Sequence, residues 1–296
     1  MKIKIIVWTL VILFILSYSL SKVWDIKETT NQIVIIPITG TITTELTSSL
    51  MQQKETSSTA ILNYIDLAQR NPNIKGVLLE INSPGGTVVA SKEIADKVKQ
   101  MNKPVVSYIR EIGTSGAYWI ASSSNVIVAD PLSITGSIGV IGSYLEFSQL
   151  LEKYGVTYQR LVSGSYKDTG SPFKELTEEE KKILQSKIDL IHLKFVADVS
   201  KNRNLPIEKV KELSTGMFYL GAEAKYYGLI DELGNEETAI NILKEKAGIK
   251  EAKLVRYQQR RTLLDIFSQL YSSSFYYFGQ GFSSNLLQQN RIQLTT

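Results

Sequence analysis

Residues 74–86 read Ile74-Lys75-Gly76-Val77-Leu78-Leu79-Glu80-Ile81-Asn82-Ser83-Pro84-Gly85-Gly86, and this stretch decides the fold class. From Ile74 to Ile81 the run is apolar at odd and even positions alike. A strand of that kind buries both faces, as strands of parallel sheets covered by helices do. It stops at Asn-Ser-Pro-Gly-Gly, and a helical pattern from about Val88 to Gln100 begins at once. Two glycines at the carboxyl end of a buried strand let backbone approach a ligand closely. Their N–H groups suit an oxyanion, although a tight turn without a ligand would have the same sequence. The spacing G-x4-G-K-[ST] of a phosphate loop is absent.

The same strand-then-helix grammar extends in both directions. Strands are expected at 33–38, 104–109, 125–129 and 156–162, and helices at about 59–69, 115–122 and 145–154. A glycine-studded stretch occupies 135–142. This alternation predicts parallel βαβ units. Beyond it the chain turns more helical. Thr177-Glu178-Glu179-Glu180 has the form of a capping box and opens a long helix reaching about Asn202. Shorter helices are expected at 206–213, 221–227 and 235–247, with a short strand at 229–231.

At the other end, residues 5–20 (IIVWTLVILFILSYSL) form a nearly unbroken apolar run between Lys2 and Lys4 on one side and Lys22 and Trp24 on the other. Sixteen helical residues span roughly 24 Å, slightly less than the hydrocarbon core. Snorkelling lysines and an interfacial tryptophan make up the difference. The run is read as an uncleaved membrane anchor, the alternative being a signal peptide cut near Ser17-Tyr18-Ser19. Lys2 and Lys4 keep the leading end cytoplasmic, so the body is expected on the extracytoplasmic side. The expected organisation is an anchor at 1–24, a catalytic domain at 25–262 and a tail of open role at 263–296.

Composition narrows the chemistry. There is no cysteine, which excludes disulfides, thiol catalysis and cysteine-ligated zinc. The net charge of +4 is spread without a basic run, so nucleic acid is a poor partner. The one histidine, His192, lies among Ile188, Ile191 and Phe195 and reads as a packed or surface residue. If the chain performs acyl transfer, a serine must therefore be nucleophile and a lysine its base. Ser115 stands between a strand and a helix in Gly113-Thr114-Ser115-Gly116, where an ordinary N-cap serine is the competing reading. Ala117 breaks the G-x-S-x-G elbow pattern. Lys167 lies in the polar segment Ser163-Gly164-Ser165-Tyr166-Lys167-Asp168. A lysine base must be desolvated to be neutral at working pH, so this one is expected to fold into a pocket.

Taken together, IVIIPITG at 33–40, INSPGG at 81–86, GTSGAYWIA at 113–121, ADP at 129–131, TGSIGVI at 135–141, SGSYKD at 163–168 with Ser171-Pro172, TEEE at 177–180 and GAEAKYYGLID at 221–231 resemble the signal peptide peptidase SppA (protease IV) family, in its short single-repeat form. The matching residues run from about 33 to 240. The resemblance implies a ClpP/crotonase-like α/β fold, with repeated ββα units, a parallel sheet and a helical C-terminal part after one N-terminal transmembrane helix. It implies Ser115 as nucleophile, Lys167 as general base, Gly86 and Gly116 amides as oxyanion hole, and Ser137 as a lysine-orienting hydroxyl. It further implies no metal or other cofactor, peptide substrates including signal-peptide remnants, attachment to the cell membrane through 5–20, and a homo-oligomeric ring. Two other readings share the fold or the tether: a crotonase-type acyl-CoA enzyme and a non-catalytic peptide-binding scaffold. Ala117, where relatives often carry a second glycine, is the one departure inside the nucleophile motif.

Overall fold

The computed structural model describes residues 11–18, 31–45 and 55–258. The chain divides into two units, and the one treated below comprises 1–46 and 54–257; the other, 47–53 with 258–296, lies almost wholly outside the described residues. Residues 11–18 are helical and exposed. Among the described residues no helix is long and apolar enough to cross a membrane. The rest of the expected span at 5–20 and the tail from 263 lie outside them.

The architecture is α/β around a largely parallel sheet. Its strands are β1 (Gln32–Thr39), β4 (Ile74–Ser83), β5 (Val105–Thr114), β6 (Val126–Ala129), β7 (Ile134–Gly136), β8 (Phe218–Leu220), β9 (Glu232–Leu233) and β10 (Lys253–Arg256). The order is β10-β1-β4-β5-β6-β9, with β7 pairing parallel to the far end of β5 and β8 antiparallel to β7. Two short strands, β2 (Thr41–Thr43) and β3 (Glu55–Ser57), pair beside it. The helices are α1 (Ser58–Arg70), α2 (Val88–Lys99), α3 (Gly116–Ser122), α4 (Ser148–Lys153), α5 (Glu178–Arg203), α6 (Ile207–Leu213), α7 (Gly221–Tyr227) and α8 (Glu236–Lys246).

The two-faced apolar run of β4 has its expected cause. Val77, Leu79 and Ile81 point into the main core with Ile61 and Ile65 of α1 and Ile94 of α2. Leu78 points the other way, toward Ala239 and Leu243 of α8. Alternate side chains of one strand thus serve two hydrophobic layers. The Thr177 box forms: Thr177 Oγ1 accepts from Glu180 N at 3.2 Å, and Thr177 N donates to Glu180 Oε2 at 2.9 Å. At the far end of α5, Arg203 makes a two-pronged ion pair with Asp231 at 2.8 and 2.7 Å. Asp231 also accepts from Ile127 N of β6 at 2.7 Å, so the helical C-terminal part is fastened to the sheet.

Two expectations differ. Residues 156–162 form no strand; they are exposed, with Leu161 97% accessible, and among the described residues no strand lies beside them to complete a ladder. The strand expected at 229–231 lies at Glu232–Leu233, because Gly228 in left-handed backbone caps α7 and the chain reaches the edge of β6 only after Asp231.

Candidate active site

β4 and β5 run side by side and end at the same edge, with Ser83 in register with Gly113. The turns that follow them, Pro84–Gly86 and Ser115–Gly116, therefore meet. Gly85 has φ +102, in the region that glycine alone enters without strain. A Cβ placed on it would lie 2.8 Å from Gly116 N and 3.0 Å from Ser115 Cβ. A Cβ on Gly86 would lie 1.9 Å from Ile42 O. Here β2 threads past the turn: Ile42 N donates to Gly85 O at 2.9 Å and Thr87 N to Ile42 O at 2.8 Å. Both glycines are thus required by close backbone approach.

Ser115 occupies a strained position, φ 52 and ψ −125. Such backbone costs on the order of 1–3 kcal/mol in a residue other than glycine and persists only where the surroundings impose it. The imposing contacts are Ser115 N to Gly136 O at 2.9 Å and Trp119 N to Ser115 O at 2.9 Å. The hydroxyl makes no capping bond to α3, so Ser115 is not an ordinary N-cap. Among the described residues, neither this hydroxyl nor the amides of Gly86 and Gly116 have a hydrogen-bond partner. The two amides lie close together, Gly86 N being 3.4 Å from the point a Gly116 Cβ would occupy. A half-buried hydroxyl beside two unpaired amides is the geometry that stabilises a tetrahedral oxyanion.

These groups open into a cavity of about 530 Å³. Its apolar wall includes Val88, Trp119, Val140, Ile141, Ile188 and Phe195. Trp119 stacks on Phe195 with centroids 4.4 Å apart, which fixes α3 against α5. Behind α3, burial pushes the Tyr118 hydroxyl well above the ordinary tyrosine range, and it donates to Leu229 O at 2.8 Å. Ser137 lines the cavity as well, at φ 48, donating its hydroxyl to Gly216 O at 2.9 Å.

Lys167 is placed elsewhere. It is exposed, on a turn closed by Lys167 N to Gly164 O at 3.2 Å, and does not line this cavity. The turn is tied to the start of α5. Asp168 receives Arg160 at 2.6 and 2.9 Å and Lys174 at 3.1 Å. The hydrogen bond from Arg160, with Lys174 in support, holds the Asp168 carboxyl far below its usual range. Lys174 also bonds Glu180 at 2.7 Å, and that contact with the Thr177 amide lowers the Glu180 carboxyl to about 2. From Glu180 to His192, which lines the cavity, twelve helical residues span roughly 18 Å. Within one copy the structure brings together Ser115, Gly86, Gly116 and Ser137, and leaves Lys167 apart.

Sequence reasoning missed several wall residues. Gln185, Asp189 and His192 line the cavity from α5, and Ser214–Gly216 close its other side. The helical spacing 185, 188, 192, 195 carried that signal, because it puts all four on the stripe that ends in Phe195. His192 is thus a cavity-wall residue, and its Nε2 is buried without a partner among the described residues. Ser91, on α2, carried no signal at all; its buried Oγ is unpartnered and would lie 2.2 Å from a Gly116 Cβ.

A serine at a strand–helix junction of a parallel sheet, beside two unbonded glycine amides, is the arrangement that a serine hydrolase of the Clp type of α/β fold requires. Comparison with known proteins supplies the reaction. The chain belongs to peptidase family S49, whose model matches residues 97–250, and a Clp protease model matches residues 25–127. It is 38% identical over 210 residues to a putative protease of Methanocaldococcus jannaschii, covering 70% of this chain and 68% of that one. It is 37% identical over 234 residues to a putative signal peptide peptidase SppA of Enterococcus faecium, covering 78% and 68%. In fold it is similar to a variant of the 1510-N membrane-bound stomatin-specific protease solved with a substrate peptide, at TM-score 0.51 and 15% identity, covering 82% of this chain and 99% of that one. The protein is therefore a serine peptidase of the SppA type, which sets aside the acyl-CoA reading.

Proposed function

We propose that this chain is a membrane-anchored endopeptidase that degrades signal-peptide remnants and other unfolded apolar peptides, with Ser115 as nucleophile and Lys167 as base. The observation that carries it is the strained, uncapped Ser115 hydroxyl beside two unpaired glycine amides at the floor of an apolar-walled cavity. An extended peptide lies along the wall with its carbonyl over Ser115. Neutral Lys167 takes the hydroxyl proton as Oγ attacks, and the amides of Gly86 and Gly116 hold the oxyanion. The lysine returns the proton to the leaving amine, and a water, deprotonated by the same lysine, releases the acyl group. Ser137 keeps a lone pair for the lysine while its hydroxyl donates to Gly216 O.

That Lys167 is exposed and does not line the cavity of its own copy supports a site completed by assembly. Leu161, Val156 and Tyr154, on the segment that leads to Lys167, are exposed apolar side chains. Burying them against a neighbouring copy in a ring would desolvate Lys167 and deliver it to the neighbour's Ser115. Residues 5–20 anchor the assembly with its catalytic face outside the cytoplasm. The organisation follows as anchor 1–24, peptidase domain 25–262 and tail 263–296.

Complementation tests this directly. The full-length Ser115→Ala and Lys167→Ala proteins should each fail to cleave an apolar, unfolded peptide. Mixed and co-assembled, they should recover activity from the sites that hold one intact half from each. Activity retained by Ser115→Ala overturns the nucleophile and favours a scaffold with another function; activity retained by Lys167→Ala overturns the base. Inactive single variants that never complement place both groups in one copy.

A further inference from the structure

The cavity has one formally charged side chain in its wall, Asp189. Asp189 sits on α5 between Gln185 and His192, one turn from each, and the three face the cavity together. Gln185 Nε2 donates to Asp189 Oδ1 at 2.7 Å and so orients the carboxylate. Other acids of the same helix have cations: Asp198 has Lys194 at 2.7 Å and Glu178 has Lys181 at 2.7 Å. Among the described residues Asp189 has none. A turn further on, His192 Nε2 is buried and unpartnered. Gln185 and Asp189 are exposed as well as lining the cavity, so a substrate side chain arriving from solvent can reach the carboxylate.

We infer that Gln185, Asp189 and His192 form a subsite for a lysine or arginine side chain of the bound peptide, placed beside the wall that takes its apolar residues. Asp189 Oδ2, which Gln185 leaves unbonded, accepts from the ammonium or guanidinium. His192 Nε2 accepts a second N–H when its ring proton is on Nδ1, a reach that suits the fork of arginine. The preferred substrate then joins a basic residue to an apolar run. That composition is the junction between the positive and apolar regions of a signal peptide. The inference rests on the peptidase reading and narrows its substrates.

The test uses binding, so that it does not depend on turnover. A fluorescent apolar peptide carries lysine at one position in turn, with norleucine at the same position as reference. Affinities are measured for full-length Ser115→Ala, alone and combined with Asp189→Asn or Asp189→Lys. At one position lysine should bind about fivefold tighter than norleucine at low salt, the scale of a partly solvated ion pair. Asp189→Asn should erase that preference, and Asp189→Lys should turn it toward glutamate. No position that favours lysine, or a preference that survives Asp189→Asn, overturns the subsite. Wild-type protein that binds the lysine peptide selectively yet never cleaves it strikes the peptidase reading and leaves the subsite standing.

Discussion

Substituting Gly86 by alanine tests the catalytic geometry at its tightest point. The added Cβ would lie 1.9 Å from Ile42 O, 2.5 Å from Ile42 N and 2.6 Å from Ile42 C, all backbone atoms that no rotamer change can move. Restoring a carbon–oxygen contact of about 3.3 Å requires the turn and β2 to part by about 1.4 Å. That displacement exceeds what the two flanking hydrogen bonds, 2.9 and 2.8 Å long, tolerate. Losing both costs about 1–3 kcal/mol of stability. On the proposed mechanism it also carries the Gly86 amide out of reach of the oxyanion. Loss of one such donor lowers kcat by about 10²–10³, or about 2.7–4 kcal/mol. KM should change little, because the interaction belongs to the transition state. Thermal melting and steady-state peptide hydrolysis on the same preparation separate the two effects. A Gly86→Ala enzyme that melts like the wild type and keeps more than a tenth of its kcat would refute the geometry.

Two further outcomes are expected. Gly116→Ala drives a Cβ to 2.2 Å from Ser91 Oγ and 2.9 Å from Ser91 Cβ, so it should lower kcat by tenfold or more, and adding Ser91→Gly should restore much of the loss; peptide hydrolysis by the single and double variants checks this, and absence of rescue would show that the collision is not the cause. Arg203→Ala should destabilise the fold by about 1–3 kcal/mol, because it removes the charged hydrogen bonds that join α5 to Asp231, which is itself bonded to β6; urea denaturation should show the lower midpoint.

Much of this protein follows from its sequence alone, and the reason is locality. The two-sided apolar run at 74–81 demands a buried parallel strand, because a strand's faces are set by alternation along the chain. The capping box at Thr177 and Glu180 closes over three residues and forms as read. INSPGG and GTSG mark the ends of adjacent strands, so the parallel sheet delivers Gly86, Ser115 and Gly116 to one edge. Family membership of the peptidase was legible in the same motifs. What failed or stayed hidden depends on partners distant in sequence. Residues 156–162 read like a strand, yet backbone pairing needs a neighbour, and among the described residues none lies there.

The strain at Ser115 arises from Gly136 and Trp119, not from the residues at 113–116 themselves. His192 reads as core or surface from its neighbours in sequence; only the packing of α5 across α3 puts its ring, and the Asp189 carboxylate, into the cavity wall. Lys167 marks the boundary most sharply. Its motif singles out the residue by resemblance, but its exposed place, off the cavity wall of its own copy, goes with the Arg160, Asp168 and Lys174 cluster that ties its turn to the start of α5. A side chain's type is written locally, whereas the atoms it meets are chosen by the whole fold.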